Sequence, residues 1–365
     1  MYLPEAADDV IKIFILGALS FGLAFWISPS LISFLYRNKL WRKEVREKSI
    51  DGKDLTYFQK FHKEGETKIP RFGGVLIWTA PLILVFLFWL LAQTDISWFQ
   101  KMNFLSQNQT WLLFFALIVA ALLGLVDDIF QVVGRGKYIA GGLGLFTRIS
   151  VVALIGVVGG WWFFFKLESF SFFIPGAENL DIIGLFGLPH FIIGILYIIF
   201  FVLVILATYS GGVIDGLDGL AGGAFATIFG AYAVIALVIG QVNTAAFCIT
   251  IVGALLAFLW FNIPPARFYM GETGIMALTA CLTVVAFLTN SVIVLPVIGF
   301  LLVMESGSVI LQLLSKKFRG KKLFLAAPLH HHFEARGWPH YKVTMRFWVI
   351  GIIMAIIGVT IRLWG

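Results

Sequence analysis

Charge is scarce in this chain. Asp, Glu, Lys and Arg make up 13% of its side chains, about half the share of a soluble domain, which excludes a soluble globular fold. Cysteine is scarcer. Cys248 and Cys281 both fall inside apolar runs, where a thiol behaves as a small hydrophobe, so a disulfide is not expected. A basic leader is also missing: Glu5, Asp8 and Asp9 precede the first apolar run, and the first helix is therefore expected to stay in the mature protein.

Apolar sequence fills the space. The 365 residues are 60% hydrophobic, with 37 Phe and 12 Trp, and the apolar runs have the length that crosses a hydrocarbon core as helix rather than as barrel strand. Ten runs are predicted, over residues 11–36, 72–92, 110–126, 139–163, 191–214, 218–240, 244–261, 273–290, 292–314 and 347–363. The expectation is an all-α integral membrane protein of about ten transmembrane helices. It forms one polytopic domain over residues 1–365.

Basic residues orient it. Residues 37–71 hold eleven Lys and Arg, residues 315–346 hold eight, and Arg135, Lys137 and Arg267 lie in further loops of the same parity, 22 of the 27 in all. By the positive-inside rule these loops face the cytoplasm and both termini lie outside. The expected cytoplasmic loops are approximately 37–71, 127–138, 209–217, 262–272 and 315–346. The net charge of +7 then reflects orientation and an anionic leaflet, and calls for no nucleic acid.

The unusual polar residues collect on that same side. They are Asp127-Asp128, Asp215-Gly-Leu-Asp218-Gly, Met270-Gly-Glu272-Thr-Gly274 and the triplet His330-His331-His332. Each acid alone reads as an ordinary surface residue at a helix end; the outward loops, however, have no comparable acid pairs beside glycines. Adjacent carboxylates repel, and a divalent cation relieves the repulsion. All-oxygen ligands favour magnesium or manganese, shared with a phosphate-bearing substrate. Asp127, Asp128, Asp215 and Glu272 are the candidate ligands, and the neighbouring glycines permit tight turns or close approach to phosphate. Three consecutive histidines point in different directions and do not easily share one zinc ion. They read either as a plain surface loop or as contacts to phosphate or sugar. Glu305 and Arg148 fall inside apolar runs and are expected to face the bundle interior or an interface. For Glu305 a structural partner and a substrate role stay open. For Arg148 a structural or lipid-headgroup contact is expected.

The stretch from Ser308-Val-Ile-Leu-Gln312 through Ala327-Pro-Leu-His-His-His-Phe-Glu334, Gly337-Trp-Pro339 and Arg346-Phe-Trp348, with Asp127-Asp128, Asp215-Gly-Leu-Asp-Gly-Leu-Ala221, Asn262 and Met270-Gly-Glu-Thr-Gly274, resembles the phospho-N-acetylmuramoyl-pentapeptide transferase family along nearly the whole chain. The resemblance implies transfer of phospho-N-acetylmuramoyl-pentapeptide from its uridine diphosphate carrier, UDP-MurNAc-pentapeptide, to undecaprenyl phosphate, giving lipid I and UMP. It further implies a magnesium cofactor, with manganese as substitute, a homodimer, and the bacterial inner membrane. Asp127, Asp128 and Asp215 would serve the metal and lipid-phosphate centre. Asn262, Tyr269 and Gln312 would lie near the nucleotide, Asp218 and Lys68 at substrate, and His330, His331 and His332 near the phosphates. Direct attack by the lipid phosphate is expected, ahead of a route through an aspartyl phospho-enzyme.

Three departures stand out. Glu272 replaces the family's usual Asp. Tyr209 and Gly212 stand where the family presents two asparagines. The segment Lys68-Ile-Pro-Arg-Phe-Gly-Gly74 looks more like the related N-acetylglucosamine-1-phosphate transferases. A hexosamine-1-phosphate transferase with another donor is the nearer alternative; a cation-coupled transporter is the remote one, disfavoured because the acids collect at one face rather than at the bilayer midplane.

Overall fold

The structure is a computed structural model and describes residues 3–43, 67–105, 108–134, 142–169, 171–176, 180–181 and 189–364. Arg135, Lys137 and the basic residues between 44 and 66 lie outside the described residues.

The chain folds as helices, in the order α1 (Leu3–Arg37), α2 (Val75–Leu91), α3 (Ser97–Met102), α4 (Asn108–Val133), α5 (Leu145–Phe165), α6 (His190–Ser210), α7 (Leu220–Val238), α8 (Val242–Asn262), α9 (Gly271–Leu288), α10 (Leu295–Ile298), α11 (Phe300–Arg319), α12 (Leu329–Ala335) and α13 (His340–Trp364). A 3-10 turn, Gly211–Ile214, follows α6. Two two-residue strands, Ser171–Phe172 and Leu180–Asp181, pair antiparallel between α5 and α6.

Each of the ten expected apolar runs contains a described helix, and the run 292–314 is divided at Gly299 into Leu295–Ile298 and Phe300–Arg319. Among the described residues, eight helices are long and apolar enough to cross a membrane. Val75–Leu91 is apolar but has 17 residues, and Phe300–Arg319 carries Glu305 and a basic last turn. The chain is a multi-pass membrane protein.

Burial ranks the helices. In α9 every residue except Glu272 is buried, as expected of a helix apolar on all sides at the centre of a bundle. Its neighbours are α2, α4, α5, α6 and α7. The outer helices turn large apolar side chains outward, Trp26 of α1 being 78% exposed, which is a lipid-facing surface rather than a packing failure. Contact between α4 and α9 depends on Gly124: a Cβ there would meet the Glu272 carbonyl oxygen at 2.3 Å. Small residues at such crossings let backbones approach closely.

The helix ends differ from those expected. α4 continues through Asp127 and Asp128 to Val133, so these acids lie on a helix and not in a turn. The side chain of Gln131 donates to Asp127 Oδ2 one turn back, at 2.6 Å, a local bond that favours continued helix. Glu272 belongs to the first turn of α9 rather than to the preceding loop. The last helix starts at His340, not at residue 347.

Candidate active site

The amino end of α9 organises the site. Helix amino termini expose unpaired N–H groups and the positive end of the helix dipole, and Met270, at the capping position, offers no side-chain cap. Carboxylates from elsewhere supply it. Asp215 accepts the N–H of Gly271. Asp128 Oδ1 accepts the N–H of Glu272 at 3.0 Å and Oδ2 that of Thr273 at 2.9 Å. Arg71 Nε lies 3.7 Å from Asp128 Oδ1.

Asp127 turns the other way, since successive helix residues are separated by about 100°. Its Oδ1 accepts the N–H of Leu143 at 2.6 Å, and its Oδ2 takes Arg148 Nη2 at 2.9 Å. The same guanidinium donates from Nη1 to Glu272 Oε1 at 2.7 Å and from Nε to the Leu143 carbonyl at 3.1 Å. Tyr209 hydrogen-bonds Arg148 as well. Arg148 therefore ties α5 to α4 and α9, the structural contact among the two expected for it. Four carboxylates meet two guanidiniums in one cluster, leaving two negative charges in excess. Burial pushes the Asp215 carboxyl up to about 6, against the pull of Arg71 and with the charge of Glu272 adding to the rise.

Asp218 and Asn262 shape the adjoining turn. Asp218 Oδ2 accepts the N–H of Ala266 at 3.0 Å. The Asn262 amide accepts from Gly219 N–H at 2.9 Å and donates to the Phe268 carbonyl at 2.8 Å. Tyr269 donates its N–H to Pro70 and accepts from Gly73, both at 2.8 Å, which brings Arg71 to the acids. Lys68 is exposed on the same segment. Gln312 holds the loop after α11. Its Oε1 accepts the N–H groups of Leu323 and Phe324, each at 2.9 Å, and its Nε2 donates to the Phe324 carbonyl at 3.0 Å, so the whole amide serves as a clasp on a loop.

The histidine triplet on α12 divides three ways. His330 is buried, with Nδ1 2.8 Å from Glu305 Oε2, and its ring lies against Gly216. His331 Nδ1 is 2.6 Å from Glu334 Oε2, and His340 bonds the other oxygen of that carboxylate. His332 Nδ1 accepts the N–H of Leu325 at 3.2 Å. Partial burial, then the nearby charge of Arg336, lower its pKa. Of the three, His330 faces the turn that bears Asp215 and Asp218.

Among the described residues, no three of His, Cys, Asp and Glu converge closely enough to hold an ion. Arg148 stands between Asp127 and Glu272, and the α9 N–H groups take Asp128. The donors nevertheless suit a hard divalent cation: all are carboxylate oxygens, with two charges to balance. Sequence reasoning did not place Arg71, Arg148 or Tyr209 among the site residues, although Arg148 was expected to face the bundle interior or an interface and Tyr209 stood out as a departure from the family. A buried cation beside an acid pair was the available signal for Arg148, and the atypical segment before Gly73-Gly74 for Arg71.

Residues 110–290 match the model of Glycosyl transferase family 4, a stretch that holds Asp127, Asp128, Arg148, Asp215 and Glu272. A phospho-N-acetylmuramoyl-pentapeptide-transferase of Geobacillus sp. (strain WCH70) is 35% identical over 353 residues, 95% of this chain and 96% of that protein. Proteins of the same name from Anoxybacillus flavithermus and Bacillus subtilis (strain 168) are each 34% identical, covering 94% and 95% of this chain and 97% and 96% of their own lengths.

Proposed function

Because this chain belongs to the phospho-N-acetylmuramoyl-pentapeptide transferase family, we propose that it transfers phospho-N-acetylmuramoyl-pentapeptide from UDP-MurNAc-pentapeptide to undecaprenyl phosphate, forming lipid I and UMP in peptidoglycan synthesis. The observation that carries the reading is the full-length similarity to proteins of that name, joined to a cluster of acids and arginines assembled from five separate segments of the chain. The enzyme spans the bacterial inner membrane ten times, with both termini outside and the acid cluster at the cytoplasmic end of the bundle. Two copies form a homodimer.

Asp127, Asp128, Asp215 and Glu272 would hold magnesium, or manganese in its place. Bound there, the ion supplies charge neutralisation for the diphosphate and for the leaving UMP. Arg71 and Arg148 keep the acids apart and offset their charge. The amino end of α9 holds Asp128 and Asp215 in place through N–H donors that need no reorganisation during the reaction. An oxygen of the lipid phosphate attacks the sugar-linked phosphorus directly. His330 stands at the turn carrying Asp215, while His331 bonds Glu334 and His332 bonds the loop that follows α11.

The test offers full-length protein in membranes undecaprenyl phosphate, magnesium and each sugar nucleotide in turn. UMP release from the muramoyl-pentapeptide donor is expected. Release from UDP-N-acetylglucosamine alone assigns the protein instead to the hexosamine-1-phosphate transferases, the reading that the segment Lys68–Gly74 favours.

A further inference from the structure

Arg42 lies just past the end of α1, yet it is only 2% exposed. A guanidinium that deep requires acceptors. One is the side-chain carbonyl of Gln131, to which Nε donates at 3.0 Å and Nη2 donates as well. Arginine offers donors alone, so the Gln131 amide is held with its oxygen toward Arg42 and its nitrogen toward Asp127. That nitrogen donates to Asp127 Oδ2 at 2.6 Å. The chain of contacts continues, since the same oxygen pairs with Arg148 Nη2 at 2.9 Å, and Arg148 Nη1 pairs with Glu272 Oε1 at 2.7 Å. Gln131 and Asp127 are as closed to solvent as Arg42. Gly142 seals them: a Cβ there would meet Gln131 Cγ at 2.9 Å, Arg148 Nη2 at 3.0 Å and Asp127 Oδ1 at 3.1 Å. Surface returns at the far end, where Glu272 has 21% of its side chain exposed and, among the described residues, no donor to Oε2. The segment that carries Arg42 also braces the neighbouring acid. Leu40 accepts the N–H of Arg71 at 3.1 Å, and Arg71 Nε lies 3.7 Å from Asp128 Oδ1.

We propose that Arg42 and Gln131 are positioning residues that set the carboxylate of Glu272 for the divalent cation, an inference that rests on the transferase reading above. They touch neither substrate nor ion. With Arg42 in place, Asp127 receives donors from Gln131, Leu143 and Arg148, and a carboxylate so satisfied leaves the second arm of the guanidinium to Glu272. Without Arg42, the Gln131 amide is released to turn its oxygen toward Asp127, acceptor against acceptor. Asp127 then replaces the lost bond by drawing on Arg148, and Glu272 loses its anchor. In a buried chain of donors and acceptors each bond orients the next, so a change at one end reaches the other. Groups that orient a metal ligand from behind carry about 10–100-fold of metal affinity or activity.

The experiment titrates full-length protein in nanodiscs with Mn2+, reading the unbound ion by electron paramagnetic resonance, and measures UMP release from the same preparations. Arg42→Met is expected to bind Mn2+ about tenfold more weakly than wild type and to lose kcat by a similar factor, while KM for the nucleotide donor holds. The sign of the change is diagnostic. Deleting a positive charge near carboxylates strengthens cation binding by Coulomb attraction alone, so weaker binding reports lost positioning, and unchanged or tighter binding overturns the proposal. Arg42→Lys still donates to the Gln131 carbonyl and is expected to restore most of the affinity. Gln131→Met is expected to match Arg42→Met, and the double variant to be no worse than either, as for two links of one chain. Additive losses overturn the proposal. Should Arg42→Met fail to fold, Gln131→Met decides by the same titration, with unchanged or tighter Mn2+ binding overturning the positioning role. The Mn2+ comparison holds whichever sugar donor wild type accepts, so turnover of a different donor corrects the function alone. Wild type that binds no Mn2+ overturns the metal reading and this proposal together.

Discussion

Arg148 holds two carboxylates that would otherwise face each other across α4 and α9, with Asp127 completely buried. Removing one partner of a buried pair leaves uncompensated charge, so Arg148→Met is expected to cost about 3–5 kcal/mol of stability, read as a lower midpoint of thermal unfolding in detergent. Arg148→Lys keeps the charge but loses the fork that reaches Asp127 and Glu272 together, and is expected to keep more of the stability than of the activity. Asp215 gives a second residue-scale expectation. Its folded pKa of about 6 lies above the ordinary carboxylate value of about 3.9, so the folded protein binds this proton more tightly than the unfolded chain does. The contribution is complete below the ordinary value and is lost as pH rises through about 6. In magnesium-free buffer, wild type should therefore gain stability on acidification from pH 7 to 5 relative to Asp215→Asn, whose difference from wild type is measured by denaturation at the two pH values.

Among the elements, α9 is capped from outside itself. Asp128→Ala would free the N–H groups of Glu272 and Thr273, a loss of about 1–3 kcal/mol for buried donors left unmade. Hydrogen exchange at those two amides is expected to accelerate while mid-helix amides such as Leu278 change little. The loop after α11 depends likewise on Gln312, which accepts two N–H groups from it and donates to one carbonyl. Gln312→Ala is expected to speed tryptic cleavage at the exposed Lys321 and Lys322 about tenfold, equivalent to roughly 1.4 kcal/mol of local stability. Unchanged cleavage would return Gln312 to a role at the nucleotide.

For the whole molecule, orientation is the open quantity with the simplest test. Cys248 and Cys281 are completely buried, so a single introduced cysteine reports cleanly. Lys322→Cys is expected to react with an impermeant maleimide from the cytoplasmic side and not from the outside. Labelling from outside would reverse the topology and move the acid cluster away from the side where sugar nucleotides are made.

The sequence by itself determined the helices and the composition of the site, while tertiary structure decided which charged groups meet. Run length and apolarity are local properties, and hydrocarbon permits few other backbones; each of the ten expected runs contains a helix for that reason. The clustering of Asp127, Asp128, Asp215 and Glu272 was also legible, because loops of one parity share a membrane face. Pairing was not. Asp127 and Asp128 are neighbours in the chain but face different helices, one toward Arg148 and the other toward the start of α9. Arg148, Arg71 and Glu305 found their partners through contacts spanning 21, 57 and 25 residues. The three histidines show the same division: adjacency suggested a shared role, and the turn of one short helix sent each ring to a different partner. Electrostatic partners depend on the packing angles and rotations of helices distant in sequence, and these are set by the whole buried interior around α9 rather than by any segment alone.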